Sequence, residues 1–194
     1  MLYTAGIIDL IQEHQLLPHL YADDTQVCGF CRPGQTSGLC QQITTRVEDV
    51  ANWMGANRLQ LNVAITEFLW CSSRQRHRMH QLPVSPVVIG GNSVHPASVV
   101  RDLGVWIDSG LSMSTHVTKV VAGCFAVLRQ LNSIRHSVSW ESLIALVVSL
   151  VLTRLDYRDA VLAGLPAYQL DRLQSAINAV ARMMFLGMIM FRRC

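Results

Sequence analysis

Charge is scarce in this chain: Asp, Glu, Lys and Arg make up 15% of 194 residues, against 51% apolar residues. That balance excludes a disordered polymer and describes a piece that expects to be covered by something else. The net charge of +3, with seven His besides, is compatible with a nucleic-acid partner without demanding one. A basic n-region is absent from Met1-Leu-Tyr-Thr-Ala-Gly-Ile-Ile-Asp9, which argues against a secretory signal. Long apolar runs are absent too. The longest, near Leu143–Leu152, is interrupted by Ser149 and falls short of the roughly 20 residues a bilayer span needs, so it reads as a buried helix. No internal repeat and no low-complexity segment stands out. The expected setting is nuclear or cytoplasmic, not secreted.

Six Cys are present, and without a secretory context reduced thiols are the default. Cys28-x-x-Cys31 followed by Cys40, with His77-x-x-His80 further on, leaves a zinc module open. The alternative is that Cys28 and Cys31 are small apolar side chains packing on and after a strand.

Apolar periodicity divides the chain into an α+β part and a helical part. Leu2–Glu13 reads as an amphipathic helix, and Leu16–Leu20 with Gln26–Phe30 as a hairpin. After a Pro/Gly loop from Arg32, a long helix covers about Ser37 to Asn57, with Leu39, Ile43, Val47, Val50 and Met54 on one stripe. Thr66–Cys71 reads as a strand, Ser72–Gln81 as a basic loop, and Val84–Ile89 with Ser93–His95 as a second hairpin about Gly90-Gly91-Asn92. Val99–Ile107 is a strand broken by Gly104. Three helices follow: Thr115–Asn132, Trp140–Leu155 and Tyr168–Leu186. Their stripes are Val117/Val120/Val121/Cys124/Val127/Leu128/Leu131, Leu143/Leu146/Val147/Leu150/Val151 and Leu170/Leu173/Ile177/Val180/Met184. Short connectors, one with Pro166, imply a small bundle. The boundary is expected near 110.

The most informative residues are Tyr21-Ala22-Asp23-Asp24, two adjacent acids between strand-like flanks. Asp suits turns, so a solvated turn is one reading. Paired carboxylates on a rigid hairpin are also what two-metal phosphoryl transfer requires, because cations relieve their mutual repulsion.

The order of motifs narrows the choice. His19-Leu-Tyr-Ala-Asp-Asp-Thr-Gln26 is followed by Asn52-Trp-Met-Gly-Ala-Asn-Arg-Leu-Gln-Leu-Asn62, then Thr66-Glu-Phe-Leu-Trp70 and Val100-Arg-Asp-Leu-Gly-Val-Trp-Ile-Asp108. This succession resembles the reverse transcriptases of non-LTR (LINE-type) retrotransposons over nearly the whole chain. The resemblance implies a partial polymerase palm over 1–110 and a helical thumb over 111–194, with an atypical tail from about 187. It implies RNA-directed DNA polymerisation with Mg²⁺, dNTPs, an RNA template and a DNA primer. Asp23 and Asp24 would be the catalytic metal ligands, Asp24 the weaker, with Tyr21 on a face with Asp23 and small Ala22 admitting the primer terminus. For Tyr21 alone, plain core packing is the other reading.

Leu103-Gly104, with Asp108, looks like the family's primer-grip hairpin. There Gly lets a backbone approach the primer; the alternative is a bulge glycine. Phe125 through Leu155-Asp156-Tyr157 looks like the thumb, where Lys119, Arg129 and Arg135 would track the duplex or simply be exposed. Arg74, Arg76, His77, Arg78 and His80 would meet phosphates or line a solvated loop.

Two departures matter. Ile65 stands where the family has a Lys before Thr66-Glu67, which can act as a general acid toward pyrophosphate; otherwise Ile is a tolerated strand residue. The fingers and the palm's first half, with the first metal-binding Asp, the nucleotide-binding basic residues and a Gly-rich template motif, have no counterpart here, nor does an endonuclease domain. The 194 residues alone are therefore expected to be inactive, a nucleic-acid-binding remnant or a functionless product of a degraded element.

Overall fold

The computed structural model describes residues 5–13, 16–22, 24–72, 83–157 and 162–191. Its elements form a mixed α+β protein. They fall into two compact units, Met1–Val100 and Arg101–Cys194.

In the first unit, helix α1 (Ala5–Gln12) leads into the antiparallel pair β1 (Leu17–Tyr21) and β2 (Asp24–Cys28). Pro33 opens a single 3₁₀ turn, Pro33–Gln35, as its fixed φ suits a helical first position. Helix α2 (Thr36–Ala56) follows and lays Leu39 and Val50 into the core. There they meet Ile7 and Ile11 of α1, Leu16 and Trp70. Gly29 is a packing requirement: a Cβ there would stand 2.8 Å from Leu39 Cδ1 and 2.9 Å from Leu16 Cδ2. Trp70 meets Phe68 edge-on at 5.3 Å, a favoured aromatic geometry.

The strand expected over Thr66–Cys71 shrinks to β3 (Phe68–Leu69). The chain before it is held in a 3₁₀ turn, Val63–Ile65, by Asn62, whose side chain accepts from the Ala64 N–H. Local Asn capping outcompetes strand pairing here. β4 (Val87–Ile89) and β5 (Asn92–Val94) form the expected hairpin across Gly90-Gly91, with Val87 and Ile89 buried where β4 packs on α2. β6 (Pro96–Ala97) pairs parallel with β3.

β7 (Val99–Asp102) and β8 (Val105–Asp108) form a two-stranded sheet. The strand read as broken by Gly104 is thus a hairpin, the form that the resemblance implied for Leu103-Gly104, and the bulge-glycine alternative is corrected. Leu103 and Gly104 both have positive φ, 43° and 86°, and make a two-residue hairpin turn.

The second unit is otherwise helical. α3 (Ser114–Ile134) is followed by α4 (Trp140–Val147), N-capped by Ser139 accepting from the Ser142 N–H at 3.2 Å. α4 passes through a π-helical turn, Val148–Leu152, into α5 (Thr153–Asp156), so the single helix expected over Trp140–Leu155 carries an inserted π segment. α6 (Ala167–Phe191) runs into the stretch set apart as an atypical tail, whose last three residues lie outside the described residues. The core joins Cys124, Leu128 and Leu131 of α3 to Leu143, Val147 and Val151, and to Ala176 and Val180 of α6.

One expected stripe is rotated. On α6, Gln169, Ala176 and Val180 face inward, while Leu170 and Ile177 remain 48% and 42% exposed. Gln169 sits on the buried face: its Nε2 donates to the Ser112 carbonyl and to the Tyr168 hydroxyl, while its Oε1 has no hydrogen-bond partner among the described residues. Hydropathy counts Gln as polar and misses a buried amide that is hydrogen-bonded.

Candidate functional site: the acidic hairpin and a cationic cluster

Five cross-strand pairs fix the acidic hairpin's register, from Leu17 opposite Cys28 to Tyr21 opposite Asp24. Ala22 is therefore in the turn, and Asp24 is already the first residue of β2. Asp23 lies outside the described residues. Ala22 takes φ of 55°, a left-handed conformation that costs an L-residue about 1–2 kcal/mol.

Residues directly opposite in an antiparallel pair share a face. Tyr21 and Asp24 are therefore on one face, with His19 and Gln26 two positions along, while Pro18, Leu20, Thr25 and Val27 form the other. Tyr21 is 64% exposed and Asp24 is exposed, so plain core packing of Tyr21 is corrected. The face carrying Asp24 is open to a ligand.

A divalent cation of the Mg²⁺ type needs several oxygen ligands converging on one point. Among the described residues no three His, Cys, Asp or Glu side chains converge in this way. The described part of the hairpin offers Asp24 alone and does not fit a closed metal site. The same finding separates Cys28, Cys31 and Cys40 as a zinc-binding trio. Among the described residues these three, with Cys71 and Cys124, are not in disulfides. His77, His80 and the basic residues Arg74, Arg76 and Arg78 lie outside the described residues.

Ile65 ends the 3₁₀ turn and is 72% exposed, not a strand residue as expected. No pairing or packing calls for an apolar side chain at this point.

In the second unit, a cationic cluster gathers on Trp106 of β8. Lys119 Nζ lies 4.7 Å and Arg101 Cζ 5.7 Å from its ring centroid, within reach of a cation–π attraction. The Trp106 N–H donates to Nδ1 of His116 at 3.3 Å. His116 is buried, and burial pushes its pKa below the ordinary 6.5. Asp108 accepts from the Ser112 N–H and hydroxyl, closing the loop into α3.

Leu103 and Gly104 stand next to this cluster, and their near neighbour is Tyr157. The Tyr157 hydroxyl donates to the Leu103 carbonyl at 3.1 Å, and its ring passes 3.3 Å from where a Gly104 Cβ would stand. Gly104 admits this ring to the backbone. Arg129 is exposed on α3 and lines, with Phe125, Leu128, Asn132, Arg135, Ala179 and Met183, an open groove of about 260 Å³. No acidic residue occurs between Asp108 and Glu141, so this surface has no carboxylate of its own helix to neutralise it.

Arg101, Trp106 and Tyr157 lie inside quoted motifs without a role of their own there, and His116 lies in none. A two-residue turn at Leu103-Gly104 sets Arg101 across from Trp106. Nothing local signals His116 or Tyr157.

No family model, curated protein or solved structure matches the chain. Among the described residues no helix is long and apolar enough to cross a membrane.

Proposed function

We propose that this chain is a palm-and-thumb segment of a non-LTR-type reverse transcriptase that holds a primer–template duplex and does not by itself extend it. The observation that carries the reading is the acidic hairpin: a turn through Ala22 that leaves Asp24 and Tyr21 exposed together on one face. The motif order that follows it supports the same ancestry. The inherited chemistry is RNA-directed nucleotidyl transfer with Mg²⁺, in a nuclear or cytoplasmic setting. A two-metal site needs more carboxylates than this hairpin presents. Ile65 also withholds a proton donor from the leaving pyrophosphate.

The holding function rests on different residues. Lys119 and Arg101 present positive charge on the Trp106 ring beside the Leu103-Gly104 turn, and Arg129 is exposed further along α3, a helix that carries no acid of its own. Phosphate contacts of this kind are sequence-independent and salt-dependent.

Two assays test the proposal. Primer extension on an RNA template with the purified chain is expected to give no product; sustained dNTP incorporation would refute the inactive reading. Fluorescence anisotropy with an RNA–DNA duplex is expected to show binding that weakens as salt rises. Lys119→Ala and Arg129→Ala should each reduce the slope of log K against log salt by about one. Absence of binding at low salt sinks the holding function.

A further inference from the structure

A two-residue turn decides which N–H groups of a hairpin face the partner strand. With Leu103 and Gly104 as the turn, Asp102 and Val105 form the pair that exchanges hydrogen bonds, and Arg101 and Trp106 the next pair, which does not. The Trp106 N–H therefore points away from β7. It finds its acceptor in Nδ1 of His116, in the first turn of α3. The imidazole is buried, and this bond requires it to be neutral with its proton on Nε2.

We propose that His116 is a proton-operated latch: neutral, it fastens the β7–β8 hairpin to the start of α3, and protonated, it releases the hairpin. A protonated imidazole carries a donor at both nitrogens, so Nδ1–H would meet the Trp106 N–H donor to donor. The surroundings add to the effect. Lys119, one turn further along α3, and Arg101 of β7 both rest on the Trp106 ring. The N-terminal end of α3 presents partial positive charge as well. The acids nearby are Asp108 at the end of β8, which accepts from Ser112, and Asp102, which flanks the turn beside Arg101. On α6, Arg172 donates to Thr118. Among the described residues His116 makes no ion pair, and burial lowers its pKa. Opening the latch takes up one proton. The opening constant therefore rises by about tenfold per pH unit below the ordinary His value, until the folded-state pKa is passed.

Amide hydrogen exchange followed by NMR on the whole chain, between about pH 7.5 and about pH 5.5, tests this against His116→Gln, whose Oε1 still accepts but does not titrate. In the native chain the protection of the Trp106 amide, relative to intrinsic exchange at each pH, is expected to fall by about tenfold per unit below the ordinary His value, while Leu143 in α4 keeps its protection. In His116→Gln the Trp106 amide is expected to keep its protection throughout. Equal behaviour of the two proteins, or an unchanged Trp106 amide in the native chain, overturns the proposal. Should the variant fail to fold, the ring proton signals of native His116 decide. A titration midpoint that tracks the loss of Trp106 protection supports the latch; an ordinary midpoint with Trp106 still protected rejects it.

Discussion

Leu103 and Gly104 stand side by side with φ of 43° and 86°, and only one of them suits the left-handed region. A side chain with a Cβ costs about 1–2 kcal/mol there. Leu103→Gly is therefore expected to stabilise the second unit by up to about 1 kcal/mol, the strain relieved being partly offset by a more flexible unfolded chain. Gly104→Ala is expected to destabilise it by about 1 kcal/mol or more, because the new methyl also meets the Tyr157 ring at 3.3 Å. Urea denaturation of both variants checks the opposite signs; a neutral Gly104→Ala would contradict the turn geometry. His116 adds a pH dependence at the same scale. Its folded pKa lies below the unfolded 6.5. Above that value both states are neutral and the residue contributes nothing to the slope. Below it the unfolded chain binds a proton that the folded chain does not, so stability falls as pH drops toward the folded value. The loss is at most about 1.4 kcal/mol per pH unit, and denaturation midpoints in His116→Gln should lack this component.

At the scale of elements, helices and hairpins follow from periodicity and turn chemistry, but the face each helix buries does not always follow. α3 buries Val117, Val121, Cys124, Leu128 and Leu131, as its apolar stripe indicates. α6 departs: Gln169 is buried with two acceptors for its Nε2, and Leu170 and Ile177 line an open groove with Val148, Leu152 and Leu155. Two substitutions separate the buried position from the outward one. Leu143→Ala is expected to cost about 2–5 kcal/mol, since the side chain is fully buried and its removal leaves a cavity. Ile177→Ala is expected to cost well under half as much, because Ile177 remains 42% exposed. Thermal unfolding of the two variants measures the difference. Equal losses would place Ile177 in the core after all.

For the whole molecule, the two units each have a separate apolar core, and each also presents apolar side chains to solvent. Phe30, Val84 and Ile65 in the first, and Tyr168, Leu170 and Phe185 in the second, are exposed. The described sheets are all two-stranded, so strand edges stay open. Open edges and apolar patches favour association. The purified chain is expected to self-associate as concentration rises, read by light scattering after size-exclusion chromatography. A monodisperse monomer at high concentration would count against it. Thiol chemistry follows burial: Cys31 is exposed, whereas Cys124 is fully buried and burial pushes its thiol pKa up.

Sequence alone determined the α+β class, the acidic hairpin and the succession of helices, because strand alternation, helical period and turn residues are local signals. The resemblance to a polymerase also rests on sequence, on motif order alone. Tertiary structure decided what local signals do not carry. It placed Tyr21 opposite Asp24, since register depends on which residues the turn consumes. It made Leu103-Gly104 a turn against Tyr157, and it joined Trp106 to His116, ten residues away. The last two are hydrogen bonds between a side chain and the backbone of another element, and their energy exists only once the elements have packed.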